Sequence, residues 1–207
     1  MSIASQTTNA DVVESVSPVI AEVIYTPEAL LSLSDEVAYE LVGGKLVERN
    51  MGGESSEIAV AINSLLWTHC HALSLGRVFG PDAGYQIYGE DSDKVRRPDG
   101  SFIAKGRLPN DLPPKGHINV CPDLVIEVVS PHDLAIEIDV KVEEYLQAGV
   151  RLIWVVYPET KHVLVYRTGS TVQRLGVEDE LAGEDVLPEF RLAIGKIFPV
   201  AGEDVGA

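Results

Sequence analysis

Glu127 is an acidic residue inside an apolar segment, residues 124–129, which Pro122 and Pro131 bound. The many β-branched residues of this segment predict a strand that is buried on both faces. A carboxylate there costs free energy unless it is paired with a cation or bound to a metal ion. Glu127 is therefore either a structural residue, ion-paired or at the sheet edge, or part of a functional site.

A metal site at Glu127 would need a second ligand. Asp123 lies on the same strand face, but at a rise of ~3.3 Å per residue the two Cα atoms are ~13 Å apart, too far to share one ion. Asp99, in RRPDGSFI, directly precedes an apolar run that predicts a neighbouring strand. Two oxygen ligands on adjacent strands suit Mg²⁺, which binds one or two carboxylates and keeps several waters. The alternative for Asp99 is a Pro-Asp-Gly turn.

A helix is predicted over residues 133–147, directly after the Glu127 strand. The apolar residues on one face of this helix are Leu134, Ile138, Val142 and Tyr145. Lys141 lies at the edge of that face, where its ammonium group either extends to solvent or lies along the sheet. In the second case it would neutralise a phosphate next to the two carboxylates.

Local patterns predict the elements that position these residues. Thr26-Pro27 predicts a helix start, Gly43-Gly44 a tight hairpin, and the apolar spacing over residues 55–75 an amphipathic helix. Further strands are predicted at 77–79, 85–88, 101–104, 151–157 and 162–168, with a loop at 106–119. Hairpins combined with a strand-helix-strand unit predict an α/β fold with a mixed sheet.

The chain has 207 residues and a net charge of −16, with 32 acidic and 16 basic residues. This length predicts one domain. No segment approaches the ~20 apolar residues of a membrane span. The first 24 residues lack the features of a signal peptide, so we expect a cytoplasmic protein. Phosphate binding normally needs a basic surface, which here only a local patch such as residues 94–97 would provide.

Histidine and cysteine offer a rival metal site. Cys70 and Cys121 form no C-x-x-C spacing, and both are predicted to be packed thiols. His69 and His71 flank Cys70, but residues two apart on a helix do not share a face. The carboxylate site is therefore favoured over the histidine site.

Several segments together resemble a known family. RRPDGSF, PDLVIEVVSP and DVKVEEYLQAGVRLIWVVYP resemble the Uma-two family of bacterial restriction-endonuclease-like proteins, within the PD-(D/E)XK nuclease superfamily. The resemblance runs from residue 25 to 199 and includes YELVGGKLVE and LPEFRLAIGKIFP. It implies the restriction-endonuclease-like fold, an α/β fold with a central mixed β-sheet flanked by helices. The domain would span residues 25–200, between flexible tails at 1–24 and 201–207.

The resemblance also implies a catalytic site. Asp99 matches the aspartate of the PD element, and Glu127 matches the acidic residue of the (D/E)XK element. The superfamily lysine would be residue 129, which is Val129 in this chain. The family's Lys-x-x-x-Tyr element suggests that Lys141, on the following helix, has taken over that role.

The implied reaction is phosphodiester hydrolysis in DNA by a metal-activated water. Asp99, Glu127 and the carbonyl of Val128 would hold Mg²⁺, or alternatively Mn²⁺. Lys141 would stabilise the developing negative charge or orient the water. Three further residues are candidates for supporting roles. Glu57 would be an additional carboxylate behind the metal ligands, Asp123 a ligand of a second metal ion, and Tyr145 a hydrogen-bond partner of Lys141. Each also has a purely structural interpretation, as a solvated acid, a structural acid and a core tyrosine respectively.

Two hypotheses remain open from the sequence. The first is a Mg²⁺-dependent DNA endonuclease, which we expect to be a homodimer because such enzymes often pair two sites through two-fold symmetry. The second is a catalytically inactive nuclease-fold protein that serves as a binding or regulatory module. Convergence of Asp99 and Glu127 under Lys141 would favour the enzyme, as would a basic rim around them. A flat or closed surface with the two acids apart would favour the module.

Overall fold

A computed structural model describes residues 23–33, 38–49, 51–89, 91–169 and 171–200. The predicted tails therefore lie outside the described residues, except for residues 23 and 24. The α-helices of the described part are α1 (Pro27–Leu31), α2 (Gly53–Leu73) and α3 (Ala135–Gln147). Its strands are β1 (Tyr39–Val42), β2 (Lys45–Glu48), β3 (Gly76–Phe79), β4 (Gly100–Ala104), β5 (Leu124–Val128), β6 (Leu152–Tyr157), β7 (His162–Arg167), β8 (Gln173–Leu175), β9 (Glu180–Ala182) and β10 (Arg191–Ala193).

The central sheet has six strands in the order β3-β4-β5-β6-β7-β8. β5 and β6 run parallel and are connected through α3, whereas the other neighbouring pairs are antiparallel. A parallel pair needs such a crossover, while the antiparallel pairs can use short connections. The predicted α/β fold with a mixed central sheet is confirmed.

The two long helices cover opposite faces of this sheet. Leu124, Ile126 and Val128 of β5 belong to the apolar cluster that contains α2, whereas Val125 belongs to the cluster that contains α3. Successive side chains of a strand point to opposite faces, so Glu127 shares the α3 face with Val125. The strand predicted to be buried on both faces is buried throughout.

Two predicted turns have the expected geometry. Thr26 accepts a hydrogen bond from the Ala29 N–H at the start of α1. Gly43 and Gly44 connect β1 to β2 with φ values of 56° and 75°, the positive angles that a tight hairpin requires. This hairpin, β1–β2, forms one wall of the cleft described below.

Some boundaries differ from the prediction. α2 ends at Leu73 because Ser74 adopts a left-handed conformation with φ of 53°, and Gly76 already belongs to β3. The strand predicted at 85–88 is wrong, since Tyr85 makes only isolated bridges to Arg96 and Ile118. None of the described helices is both long and apolar enough to cross a membrane. The cytoplasmic location and the domain bounds stay predictions.

Candidate active site

A cleft of about 420 Å³ lies between the β1–β2 hairpin, the C-terminal end of β5 and the first turns of α3. Among the described residues, six carboxylates and three permanent cations line it. The carboxylates are Glu40, Glu48, Asp99, Glu127, Asp133 and Glu137, and the cations are Arg49, Arg96 and Lys141. Asp99, Glu127 and Lys141, the three predicted catalytic residues, are thus brought together in one concave, acidic site.

Asp99 directly precedes β4 and is 5% exposed. Its Oδ2 accepts a hydrogen bond from the Val128 N–H at 2.7 Å, and its Oδ1 accepts one from Arg49 Nη2 at 2.7 Å. The carboxylate therefore reaches across to the end of β5. The prediction of Asp99 as a mere turn residue does not account for these contacts.

The absence of a side chain at Gly100 lets α2 approach this position closely. A Cβ atom at Gly100 would lie 2.3 Å from Asn63 Oδ1, and Asn63 Nδ2 donates to the Asp99 carbonyl at 2.8 Å. The backbone at Asp99 is therefore fixed by a helix side chain. A larger residue at position 100 would push the Asn63 side chain away from the Asp99 carbonyl.

Asp99 is an unusually weak acid in this setting. Burial and the negative charge of Glu127 together raise the pKa of Asp99 to about 7, although Arg49 acts in the opposite direction. Desolvation and a like charge both disfavour an ionised carboxylate. A cation close to both acids would remove this penalty.

Glu127 is held by two residues one helical turn apart on α3. The Tyr145 hydroxyl donates to Glu127 Oε1 at 2.7 Å, and Lys141 Nζ lies 3.5 Å from Oε2. Residues four apart share one helix face, which explains why both reach the same carboxylate. Tyr145 was predicted as a hydrogen-bond partner of Lys141, but its hydroxyl donates to Glu127 instead.

Lys141 extends into the cleft, with a side chain that is 17% exposed. Besides Glu127, its Nζ contacts Glu40 Oε1 at 3.4 Å. Burial lowers the pKa of Lys141, but the negative charges of Glu127 and Glu40 outweigh burial, and the pKa is raised overall. The ammonium group is therefore charged and lies beside the acidic pair, while position 129 of β5 is occupied by Val129.

Glu40 is a site residue that the sequence analysis missed. It is 1% exposed and accepts hydrogen bonds from the Arg97 N–H at 2.8 Å and from Arg96 Nη1 at 3.0 Å. Burial raises the pKa of Glu40, but Lys141 and Arg96 outweigh it and hold the pKa below its usual value. The pattern that could have identified Glu40 is the same one that identified Glu127: an acidic residue inside an apolar strand, here YELV.

The predicted basic patch at residues 94–97 faces inward. Lys94 Nζ lies 3.0 Å from Glu144 Oε1, and Arg96 Nε donates to Glu144 Oε2 at 2.7 Å. Arg96 also binds the buried Glu40, so Lys94 and Arg96 neutralise acids of the protein itself. These two cations of the patch are therefore not free to bind phosphate.

The other predicted residues lie apart from the cleft or have a different role. Asp123 is buried at the opposite end of β5, where it accepts hydrogen bonds from the Ala104 N–H and pairs with Arg107. Glu57 is exposed on α2 and is not among the cleft-lining residues of the described part. Val128 lines the cleft and binds Asp99 through its N–H.

The rival histidine site has no support. His69 Nε2 bonds to the Pro188 carbonyl at 2.9 Å, whereas His71 stacks on Trp67. Cys70 and Cys121 are free, and Cys70 is buried as predicted. Within the described ranges, no three residues of the types His, Cys, Asp and Glu are placed to share one metal ion.

Comparison with known proteins agrees with this architecture. Among solved structures, the chain is similar to a "putative nuclease belonging to DUF820" from Anabaena variabilis ATCC 29413. The TM-score is 0.70 at 23% sequence identity, covering 84% of this chain and 97% of that chain, which shows a common fold. No curated protein matched the chain. The model of the family Uma2, described as "Putative restriction endonuclease", matches residues 27–195, and the chain therefore belongs to the Uma2 family.

Proposed function

We propose that this protein is a Mg²⁺-dependent endonuclease that hydrolyses phosphodiester bonds in DNA. The observation that carries the proposal is the convergence of Asp99 and Glu127, from neighbouring strands, in one cleft with Lys141 beside them. The family description supports a nuclease, whereas the metal, the DNA substrate and a homodimer are part of the proposal.

The residues of the cleft fit a magnesium ion. Asp99 and Glu127 are hard oxygen donors, and burial together with the charge of Glu127 raises the pKa of Asp99, so a cation beside both acids would lower the cost of ionising them. Mg²⁺ is typically bound through one or two carboxylates and several waters, so a third acidic ligand is not required. Val128, whose carbonyl is the third proposed ligand, also lines the cleft. When bound, the ion would supply a Lewis acid for the phosphate and acidify a water.

The protein's own residues would perform the remaining steps. Asp99 and Glu127 would fix the position of the reacting groups, since each is itself held by hydrogen bonds. Lys141 would donate to the phosphate oxygen on which negative charge develops, because its pKa is raised and its ammonium group stays charged. Tyr145 would orient Glu127.

A second function is favoured by one observation. Glu48, Asp133 and Glu137 line the cleft in addition to the central acids, so the lining carries more acids than cations rather than the basic surface expected of a nuclease. Such a charge repels nucleic acid in the absence of metal. The alternative is a nuclease-fold binding or regulatory module without hydrolytic activity.

Cleavage of a panel of single- and double-stranded DNA, with Mg²⁺ or Mn²⁺, tests the proposal. Glu127→Gln and Lys141→Met should each lower the cleavage rate by at least about 10²-fold, since each removes a group in direct contact with the reacting atoms. Glu159→Gln changes an exposed acid in the β6–β7 turn and is the matched control, with an unchanged rate.

The same experiment separates the two functions. If the wild-type chain cleaves no DNA and calorimetry shows no binding of Mg²⁺ or Mn²⁺, the module is favoured. If cleavage persists at the wild-type rate in Glu127→Gln, it does not occur at this site.

A further inference from the structure

Arg49 is a cation of the cleft that no sequence pattern identified. It directly follows β2, and its side chain is 12% exposed. Its Nη2 donates to Asp99 Oδ1 at 2.7 Å, and its Nη1 donates to the Pro81 carbonyl at 2.9 Å. A guanidinium group has five N–H donors, so these two contacts leave donors on the same planar group for an anion.

The other two cations of the cleft each contact two carboxylates. Arg96 donates to two glutamates at 2.7 and 3.0 Å, and Lys141 lies 3.4 and 3.5 Å from two glutamates. Arg49, in contrast, pairs with a single carboxylate among the described residues, that of Asp99. A cation that bound Asp99 would therefore weaken this ion pair of Arg49, whereas Arg96 and Lys141 would each keep two glutamates.

Arg49 does not complete the neutralisation of Asp99. Its Nη2 donates to Oδ1, whereas Oδ2 accepts from the neutral Val128 N–H, and the acid Glu127 lines the same cleft. A divalent ion carries twice the charge of Arg49 and would compete for the same Oδ1 atom. Because six carboxylates line the cleft against three cations, a phosphate would also need a cation that is freed from its acid.

We propose, on the basis of the proposed function, that Arg49 is a phosphate-binding residue whose availability is controlled by the metal. In the metal-free protein it pairs with Asp99. When a divalent cation binds Asp99, Arg49 exchanges that partner for a non-bridging oxygen of the substrate phosphate. A guanidinium group suits this exchange, since its fork matches carboxylate and phosphate alike. The contact with the Pro81 carbonyl keeps the group at the cleft during the exchange.

The test measures Mn²⁺ binding by calorimetry and DNA cleavage in parallel, on the full chain. Arg49→Gln should bind Mn²⁺ about tenfold more tightly, because a competitor that occupies Asp99 most of the time is removed. The same variant should cleave DNA about 10²-fold more slowly, because a donor to the phosphate is lost. Arg49→Lys keeps the positive charge but loses the two-pronged guanidinium donor. Its Mn²⁺ affinity and its cleavage rate should both lie between those of the wild type and Arg49→Gln, and it replaces Arg49→Gln if that variant does not fold.

Two variants serve as references. Arg191→Gln removes an exposed ion pair with Glu180 and should change neither Mn²⁺ binding nor cleavage. Asp99→Asn should lose Mn²⁺ binding, which shows that the ion binds at this carboxylate.

The outcomes distinguish this inference from the proposed function. Tighter binding combined with slower cleavage supports it, whereas a purely structural role of Arg49 would weaken both. Equal or weaker Mn²⁺ binding, or unchanged cleavage, in Arg49→Gln overturns the inference while the proposed function stands. If neither the wild type nor any Arg49 variant binds Mn²⁺ or cleaves DNA, both are overturned.

Discussion

The two ends of β5 each carry a buried acid, and they are neutralised in different ways. Asp123, 3% exposed, accepts from the Ala104 N–H at 2.8 Å and pairs with Arg107 at 2.7 Å. Arg151 lies a further 3.7 Å from its other oxygen. One carboxylate thus faces two guanidinium groups, both partly exposed. Such an arrangement stabilises the fold, and the negative charge of Asp123 is already neutralised by the two arginines, so it needs no metal ion.

At the other end of the strand, acids from separate strands face each other across a cleft. Asp99 and Glu127 remain close enough for the charge of Glu127 to raise the pKa of Asp99, despite Arg49. The fold therefore keeps the two carboxylates of Asp99 and Glu127 close enough to repel each other. The comparison teaches that a buried acid alone does not indicate a site. Two neighbouring acids beside an open cleft, of which Asp99 has a raised pKa, do indicate one.

The largest expected effect is on the pH dependence of stability. The pKa of Asp99 is about 7 in the folded chain and 3.8 for an ordinary aspartate, so between these pH values the unfolded chain releases a proton that the folded chain keeps. Stability from this group is present below pH 3.8 and is lost as pH rises through about 7. Compared with Asp99→Asn, which cannot titrate, the wild type should lose up to about 4 kcal/mol between pH 4 and 7.

Urea unfolding followed by tryptophan fluorescence, at pH values from 4 to 8 without metal, measures this difference. Mg²⁺ should reduce it, because a cation on Asp99 keeps the carboxylate ionised. Parallel stability curves for wild type and variant would show that Asp99 carries no excess repulsion, and the contrast between the two ends of β5 would disappear.

An intermediate effect is expected at the opposite end of the strand. Asp123→Ala leaves the partly buried Ala104 N–H without its side-chain acceptor and should cost about 2–3 kcal/mol of unfolding free energy. Arg107 and Arg151 can turn to solvent, which limits the loss. Chemical denaturation measures the stability, and DNA cleavage well below the melting temperature should be unchanged.

Arg107→Gln is the control, with a loss of at most about 1 kcal/mol because its partner keeps the backbone hydrogen bond. Loss of cleavage in Asp123→Ala without loss of stability would contradict the comparison. It would instead favour Asp123 as a second-metal ligand.

Local patterns were sufficient for the elements that position the site. The strand of Glu127, the helix of Lys141 and the Gly43-Gly44 hairpin were predicted because side-chain periodicity and turn geometry depend on neighbouring residues. Lys141 was suggested by the resemblance to the family's Lys-x-x-x-Tyr element, and the structure places its Nζ 3.5 Å from Glu127 Oε2.

Contacts between distant segments were not predictable in this way. Arg49 and Asp99 are 50 positions apart, and Glu40 and Arg96 are 56 apart. Glu40 and Leu41 are both buried, which breaks the alternation that strand patterns rely on. Their side chains meet only because the hairpin packs against the sheet, and periodicity carries no information about that packing.

The smallest expected effect concerns two neighbouring tyrosines. Tyr145 donates to Glu127, whereas Tyr88, whose ring centroid lies 6.5 Å away, has a buried hydroxyl with no hydrogen-bond partner among the described residues. Tyr145→Phe should cost about 1–2 kcal/mol of unfolding free energy. It should also lower the cleavage rate about tenfold, because Glu127 loses the group that orients it.

Tyr88→Phe is the matched control, since it removes the same atom from the same buried cluster without removing a known hydrogen bond. Its stability should equal or exceed that of the wild type, because an unpaired buried hydroxyl costs free energy. Denaturation and cleavage assays on both variants give the comparison. An equal loss in both would mean that packing of the tyrosines, and not the bond to Glu127, holds this end of β5 in place. A loss confined to Tyr145→Phe would show that the cleft depends on a hydrogen bond to an acid, as the opposite end does. Glu127, however, has Lys141 beside it, where Asp123 has both Arg107 and Arg151.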